Sequence, residues 1–278
     1  MNNKGKELRT KIYVYGVLIF LTVLSFIPFY IMIVNSTRTN VEITRGLSVL
    51  PGKALITNYG ILMEKIDIWR GFKNSLIIAV PFTILSAYFG ALTAYGFAVY
   101  NFKYKNFLFG FILATMMIPQ QLGLIGYFEL NNKLGLLDTY IPLIIPALTN
   151  TMTIFFLKQY VEQSLPKSLV EAARIDGAGE FMIFNKISLP IMLPAIATMS
   201  IFNFVGSWNN YISPLVLLFT REKYPLPVLI SIVRGSAYRT NYGAMYLAIA
   251  ISVVPILIAF SVLSKYIING LTIGAVKE

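Results

Sequence analysis

The sequence predicts an all-α integral membrane protein with six transmembrane helices. Three observations predict it. Of 278 residues, 56% are hydrophobic and only 13% are charged, against about 25% charged in ordinary soluble proteins. Six long apolar runs contain no Asp, Glu, Lys or Arg. Alternating strand patterns are absent, and lipid leaves the backbone no partner but itself, so the runs are read as helices.

The first run, residues 12–34, follows Lys4, Lys6, Arg9 and Lys11. A secretion signal has an apolar stretch of roughly 7–15 residues. This one is long enough to span a bilayer and shows no small-x-small cleavage pattern, so it is read as a retained first helix. The remaining runs are 74–100, 107–128, 139–157, 191–220 and 242–264, each able to supply the approximately 20 residues that a crossing needs. Prolines fall inside several of them: Pro28, Pro81, Pro119, Pro142, Pro146, Pro194, Pro214 and Pro255. A broken backbone facing lipid would be costly, so these kinks are expected against other helices or a cavity. An even number of spans puts both termini on one side, and the basic N-terminus assigns that side to the cytoplasm. This orientation divides the chain into a tail 1–11, a first helix 12–34, an extracytoplasmic loop 35–73, a five-helix core 74–264 and a C-terminal tail 265–278.

Absences narrow the function. There is no cysteine and no histidine, which removes disulfides, thiolate chemistry and the commonest general base and metal ligand. No carboxylate lies in any span, which leaves an intramembrane enzyme without a catalytic set. Ion-coupled carriers commonly place charge at membrane depth, and none is present here. A carrier whose sodium site is built from carbonyls would escape that test and stands as the alternative. No GxxxxGK[S/T] phosphate loop occurs, so energy for uphill transport would enter through another polypeptide. The net charge of +11 sits between the apolar runs, as in basic loops, rather than in a nucleic-acid-binding stripe.

Between the fourth and fifth runs lies a polar stretch, residues 162–190. Ser164 or Ser168 can cap a short helix with Pro166 near its start. Leu169, Ala172 and Ala173 recur at helical spacing, and Gly177 can adopt positive φ and end the helix. A second amphipathic helix would bury Phe181, Phe184 and Ile187, and Pro190 would open the next span. Such a helix–glycine–helix fits a groove on a partner protein; an amphipathic loop lying on the membrane would look the same.

The string Glu171-Ala172-Ala173, then Asp176-Gly177-Ala178, then Phe184, Ile187, Leu189 and Pro190 resembles the EAA loop of binding-protein-dependent ABC importer permeases. Leu134 to Tyr140, Trp208-Asn209 with Pro214-Leu215, and the ending Gly270 to Lys277 resemble the maltose-type carbohydrate branch, specifically its shorter six-helix permease. The resemblance implies a non-catalytic subunit forming half of a saccharide path across a bacterial plasma membrane. It implies that Glu171, Ala172, Ala173, Asp176, Gly177 and Ala178 dock on a cytoplasmic ATPase. It also implies a second, different permease, a pair of ATPase subunits and an extracytoplasmic binding protein. The chain itself would bind no cofactor; ATP and magnesium belong to the ATPase partners.

In the fifth run Ser200, Asn203, Ser207, Asn210 and Pro214 recur every three or four residues and share one helical face. Their neutral polar groups suit sugar hydroxyls, and Phe204 and Tyr211 offer ring faces. Ser and Asn also join membrane helices to one another, and both readings stand for this stripe. Trp208 is read as a packing residue. Gln120 and Gln121, after Pro119, suit either the path or the capping of a broken helix. Arg221, Lys223, Arg234, Tyr238 and Arg239 form a basic outer loop, read as a contact surface for the binding protein or as an interfacial anchor.

Overall fold

The computed structural model describes residues 3–234 and 240–275. Tyr238, Arg239 and the last three residues of the chain lie outside the described residues, as do the side chains of Lys4, Lys6 and Gln120. Every regular element among the described residues is helical. In chain order these are α1 (Asn3–Ser36), α2 (Asn40–Thr44), α3 (Leu55–Lys65), α4 (Ile68–Val99), α5 (Lys105–Met116), α6 (Leu124–Lys133) and α7 (Ile141–Ile144). They continue as α8 (Thr151–Ser164), α9 (Lys167–Ile175), α10 (Glu180–Ile183), α11 (Leu189–Trp208), α12 (Ile212–Leu217), α13 (Leu226–Arg234) and α14 (Tyr242–Ala275).

Five stretches are helical, long and apolar enough to cross a membrane: Leu8–Ser36, Ile68–Val99, Ile141–Ser164, Glu180–Trp208 and Tyr242–Tyr266. A sixth exists only if Lys105–Met116 and Gln121–Lys133, bent by 87°, count as one span. The run 107–128 is therefore broken, as Pro119 led one to expect. Pro119 sits in extended backbone (φ −59°, ψ 123°) and starts a short 3₁₀ turn, Gln120–Gly123. Proline has no N–H for the helical ladder and pushes the residue before it out of the α region.

The fourth run is interrupted too, although Ile145, before Pro146, stays in the α region (φ −54°, ψ −38°). Pro146 lies in a 3₁₀ turn, Ile145–Thr149. Asn150 then takes an extended conformation and caps α8, its side-chain oxygen accepting from the Thr153 N–H at 3.0 Å. The fifth run also departs from expectation. Its helix begins before residue 191 and stops at Trp208, well short of residue 220. Asn210 lies beyond it, in the loop before α12, with its oxygen 3.4 Å from the Ser213 N–H.

The chain folds as two compact units. The first comprises residues 1–68 and 229–254. Its joint is Asn58, buried, donating to the carbonyls of Ser36 and Arg38 at 2.8 and 3.0 Å. A Cβ on Gly243 would come within 2.6 Å of the Asn58 side chain and the Arg38 carbonyl, so only glycine permits this approach. Asn40 adds a second tie, donating to the Thr240 carbonyl at 2.9 Å and accepting from the Tyr242 N–H at 2.7 Å. The stretch expected as an external loop, 35–73, contains α2, closed by a Thr39–Glu42 capping box, and α3.

The second unit comprises residues 69–228 and 255–278. One of its cores joins Ala91, Ala94 and Tyr95 of α4 to Leu157 and Val161 of α8, Val170 and Ala173 of α9, Ile183 of α10, and Met192, Ala195 and Met199 of α11. Small residues let the helices close up: a Cβ on Gly90 would lie 2.7 Å from the Thr153 methyl group. A smaller core gathers Ile78, Leu143, Leu217 and Leu218.

Candidate functional site

Two places in the second unit hold the residues singled out in the sequence: the polar segment 162–190, and the α11 stripe.

In the first, α9 begins at Lys167 behind Pro166, and no side chain caps it, so neither Ser164 nor Ser168 has the expected role. Pro166 is itself the residue before the helix, in extended backbone, and its carbonyl accepts from the Leu169 N–H at 3.1 Å. The C-terminal end is as expected. Gly177 has φ +79°, its N–H reaches the Arg174 carbonyl at 3.0 Å, and the Ala178 N–H reaches that of Ala173 at 3.0 Å. This is the paired-bond helix stop that favours glycine.

Burial divides α9 into two faces. Val170 and Ala173 are buried. Leu169, Glu171, Ala172 and Asp176 are exposed, and Ile175 is 86% exposed. Phe181, expected inside, is 70% exposed, with Met182 exposed beside it, while Ile183 and Phe184 take the inward positions. Glu180 turns toward α4 and leaves Phe181 outside. The outer surface of the segment is therefore an apolar set, Leu169, Ile175, Phe181 and Met182, flanked by Glu171 and Asp176. Leu169, Ala172 and Ile175 fall three apart, a signal of one helical face that the sequence contained.

The segment joins α11 without a break, through a π-helical turn at Phe184–Ser188. Phe184 packs its ring against Tyr88 and Tyr95, at centroid distances of 5.8 and 5.5 Å. Ser188 is fully buried and its hydroxyl has no hydrogen-bond partner. Around Glu180 a charged cluster forms. Arg174 Nε donates to Glu180 Oε1 at 2.6 Å. The hydroxyls of Tyr100 and Tyr95 both reach the other carboxylate oxygen, the latter at 3.4 Å. The Arg174 guanidinium lies over the Tyr100 ring, 5.5 Å from its centre. Burial, then the neighbouring carboxylate, pushes the Tyr100 hydroxyl above its ordinary pKa. Its bond to Glu180 raises that of Arg174. A cleft of about 330 Å³ beside α9 is lined by Lys105, Glu162, Lys167, Glu171 and Arg174, among others.

In the second place, the expected stripe divides. Asn203 is 7% exposed and is the centre of a buried knot. Its amide nitrogen donates to Ser86 and Thr153 hydroxyls, each at 2.9 Å, and its oxygen accepts from Asn150 at 3.1 Å. Ser200 is also buried and Ser207 is half-buried. Phe204 is buried, its ring stacked on Trp208 at 5.7 Å; Trp208 also meets the Phe72 ring edge-on at 5.4 Å. Trp208 thus packs in the core. The exposed side of α11 at this level carries Phe202 and Gly206, followed by Asn209 and Tyr211. Helical spacing identified the stripe but not the direction it faces. Gln121 is exposed.

The basic loop after α12 takes part in a clasp that sequence reading missed. Asp138, at φ +57°, accepts from Lys223 Nζ at 2.8 Å, the Thr220 hydroxyl at 2.5 Å and the N–H groups of Phe219 and Thr220 at 2.9 and 3.0 Å. The Lys223 ammonium, then these hydrogen bonds, hold the carboxyl far below the usual carboxylate range. Lys223 is therefore engaged within the chain. Among the described residues no group of Cys, Asp and Glu is arranged to hold a metal ion.

Helices long and apolar enough to cross a membrane and a polar segment with an exposed apolar face fit a multi-pass membrane permease. Residues 72–272 match the family model described as the binding-protein-dependent transport system inner membrane component, and the chain belongs to that family. It is 36% identical over 262 residues to the arabinooligosaccharides transport system permease protein AraQ of Halalkalibacterium halodurans, covering 93% of each chain. It is 31% identical to the lactose transport system permease protein LacG of Rhizobium radiobacter, covering 95% of each. A crystal structure of a bacterial ABC transporter that imports the acidic polysaccharide alginate contains a chain with the same fold. The TM-score is 0.79 at 25% identity, covering 93% of this chain and 96% of that one. The protein is thus a non-catalytic importer permease, not a self-sufficient ion-coupled carrier.

Proposed function

We propose that this permease carries a saccharide, pairs with a second, different permease and is driven by two cytoplasmic ATPase subunits that hold ATP and magnesium. Relatives named for arabinooligosaccharides and lactose support the saccharide class. In this reading the bent pair α5–α6 is the sixth span, both termini are cytoplasmic, and an extracytoplasmic binding protein delivers the sugar. The spans would rock as rigid bodies when the ATPase dimer closes.

The observation that carries the reading is the outer face of 162–190. Leu169, Ile175, Phe181 and Met182 form an exposed apolar surface beside Glu171, the form that helix-in-groove recognition takes. Ala172 lies on the same face, and Gly177 with Asp176 and Ala178 forms the turn behind it. Glu171 would pair with a cation of the ATPase; loss of one partner of a desolvated pair costs about 2–5 kcal/mol. Gly177→Val forces a branched residue into positive φ, at roughly 1 kcal/mol or more. Both Glu171→Ala and Gly177→Val should lower ATPase copurification or uncouple ATP turnover from arabinooligosaccharide uptake in vesicles. Normal copurification, turnover and uptake in both variants would refute docking through this segment.

For the path itself, Asn209, Tyr211 and the outward side of α11 are better placed than Asn203, and Ser207 and Asn210 border them. Bulky substitutions at Ser207 or Asn210 should then reduce uptake with assembly intact.

A further inference from the structure

The cluster around Glu180 joins two parts of the chain that lie 80 or more residues apart in sequence. Tyr95 belongs to α4, Tyr100 to the turn just beyond it, Arg174 to the last turn of α9, and Glu180 begins α10. One carboxylate takes all three: Arg174 on Oε1, and both phenols on Oε2. Around it the contacts are tight on the same two bodies. Tyr95 packs against Phe184 and Tyr100, and Lys105 Nζ donates to the Tyr100 carbonyl at 3.0 Å, holding the turn. On its other side, the segment runs into α11 through the π-helical turn with the unpartnered Ser188 hydroxyl. π turns interrupt the regular hydrogen-bond ladder of a helix, but this one is packed, with Phe184 and Ser188 buried. The segment is therefore tied to α4 through Glu180 and continuous with α11 at its other end.

We propose that Glu180 is a positioning residue, a latch that makes the 162–190 segment and the cytoplasmic end of α4 move as one body, so that any force on α9 reaches α4 through Tyr100 and Tyr95. The inference rests on the coupling role proposed above. A carboxylate suits this task because it accepts several donors from different directions, and its charge-assisted bonds are stronger than those of an amide. Glutamine at the same position keeps the shape but cannot accept from all three donors through two carboxylate oxygens. Phenylalanine for Tyr100 keeps the ring under Arg174 and removes only the hydroxyl.

The chain contains no cysteine, so paired labels can be placed without prior substitutions. Spin labels at Lys103→Cys, beyond α4, and Lys167→Cys, at the start of α9, occupy exposed sites on the two bodies. The full complex with its ATPase subunits is measured without nucleotide and trapped with ATP and vanadate. The latch predicts one narrow distance distribution, the same in both states. Glu180→Gln and Tyr100→Phe should each broaden it at least twofold, while the ATPase still copurifies at the unaltered level. A wild-type distance that changes on trapping overturns the latch. So does a narrow distribution in Glu180→Gln. Loss of the ATPase from Glu180→Gln would overturn it too, by placing Glu180 in the docking surface. Failure of the coupling role is read elsewhere, in Glu171→Ala, which leaves the bonds among Arg174, Glu180, Tyr95 and Tyr100 in place.

Discussion

Two polar joints in the second unit do the same work in opposite chemistries. The knot of Asn203, Thr153, Ser86 and Asn150 is buried among spans and contains no charge. The clasp of Asp138, Thr220 and Lys223 lies outside the spans and is built on an ion pair with 25% and 41% side-chain exposure. Both tie segments that are many residues apart. Ionised groups at membrane depth cost several kcal/mol, whereas amides and hydroxyls can satisfy one another there. Where water reaches, a carboxylate gathers more donors than any neutral group. The solvent, more than the geometry, selects the residue type.

The comparison breaks first at the knot. Gly90→Val would drive a side chain into the Thr153 methyl group and pry α4 from α8; overpacking of this kind costs about 1–3 kcal/mol. The melting temperature in detergent should fall, and Thr153→Ser, which removes that methyl and keeps the hydroxyl, should restore part of it. No loss in the single variant would show that the two helices are not packed this closely. Next, Asn203→Leu should cost about 1–2 kcal/mol, the range for interhelical hydrogen bonds in membranes. If the knot is structural, uptake per folded molecule stays unchanged. A fall in uptake at unaltered stability would return Asn203 to the substrate path.

The clasp answers to pH. The carboxyl of Asp138 is depressed in the folded protein by Lys223 and its other donors, so its contribution is fully present above the unfolded value near 3.9. It is lost only as pH falls through the lower folded value. The stability gap between wild type and Asp138→Asn should therefore be flat from pH 7 to about 5 and should close below about pH 4. Melting curves across that range check it; a gap that closes near neutrality would assign the effect to another group. The smallest effect is expected at Glu162, which pairs with Lys158 at 2.8 Å, four residues earlier on α8. Pairs four apart on a helix contribute about 0.3–0.5 kcal/mol, and Lys158 keeps its place over the Phe109 ring, so Glu162→Gln should move the melting curve little.

Much of this architecture was legible from hydropathy. α1 and α14 contain their predicted runs and α4 all but the last residue of its own, although α1 begins nine residues earlier and α14 ends eleven residues later than the apolar runs do. In the third run the break at Pro119 was legible from the proline itself; in the fourth and fifth a count of apolar residues does not register a backbone that turns at Asn150 or Asn209. The helix stop at Gly177 was legible because positive φ favours glycine. The direction of Asn203 was not: period alone places a residue on a face, and only its neighbours in space say whether that face looks inward. Asp138 was hidden for a related reason, since its partners lie more than eighty residues away.

The π-helical turn at Phe184–Ser188 also gives the chain a place where its length can change. Such a turn holds one residue more than the α-helix it interrupts, and its five residues wind through nearly the angle of four in an α-helix. Deleting the exposed Lys186 would let regular winding resume and leave α10 facing almost as before. One residue removed from the regular helix of α11 would instead turn the segment by about 100° and carry Glu180 away from Tyr100. Tolerance to deletion should thus differ sharply between two neighbouring stretches of one continuous helix.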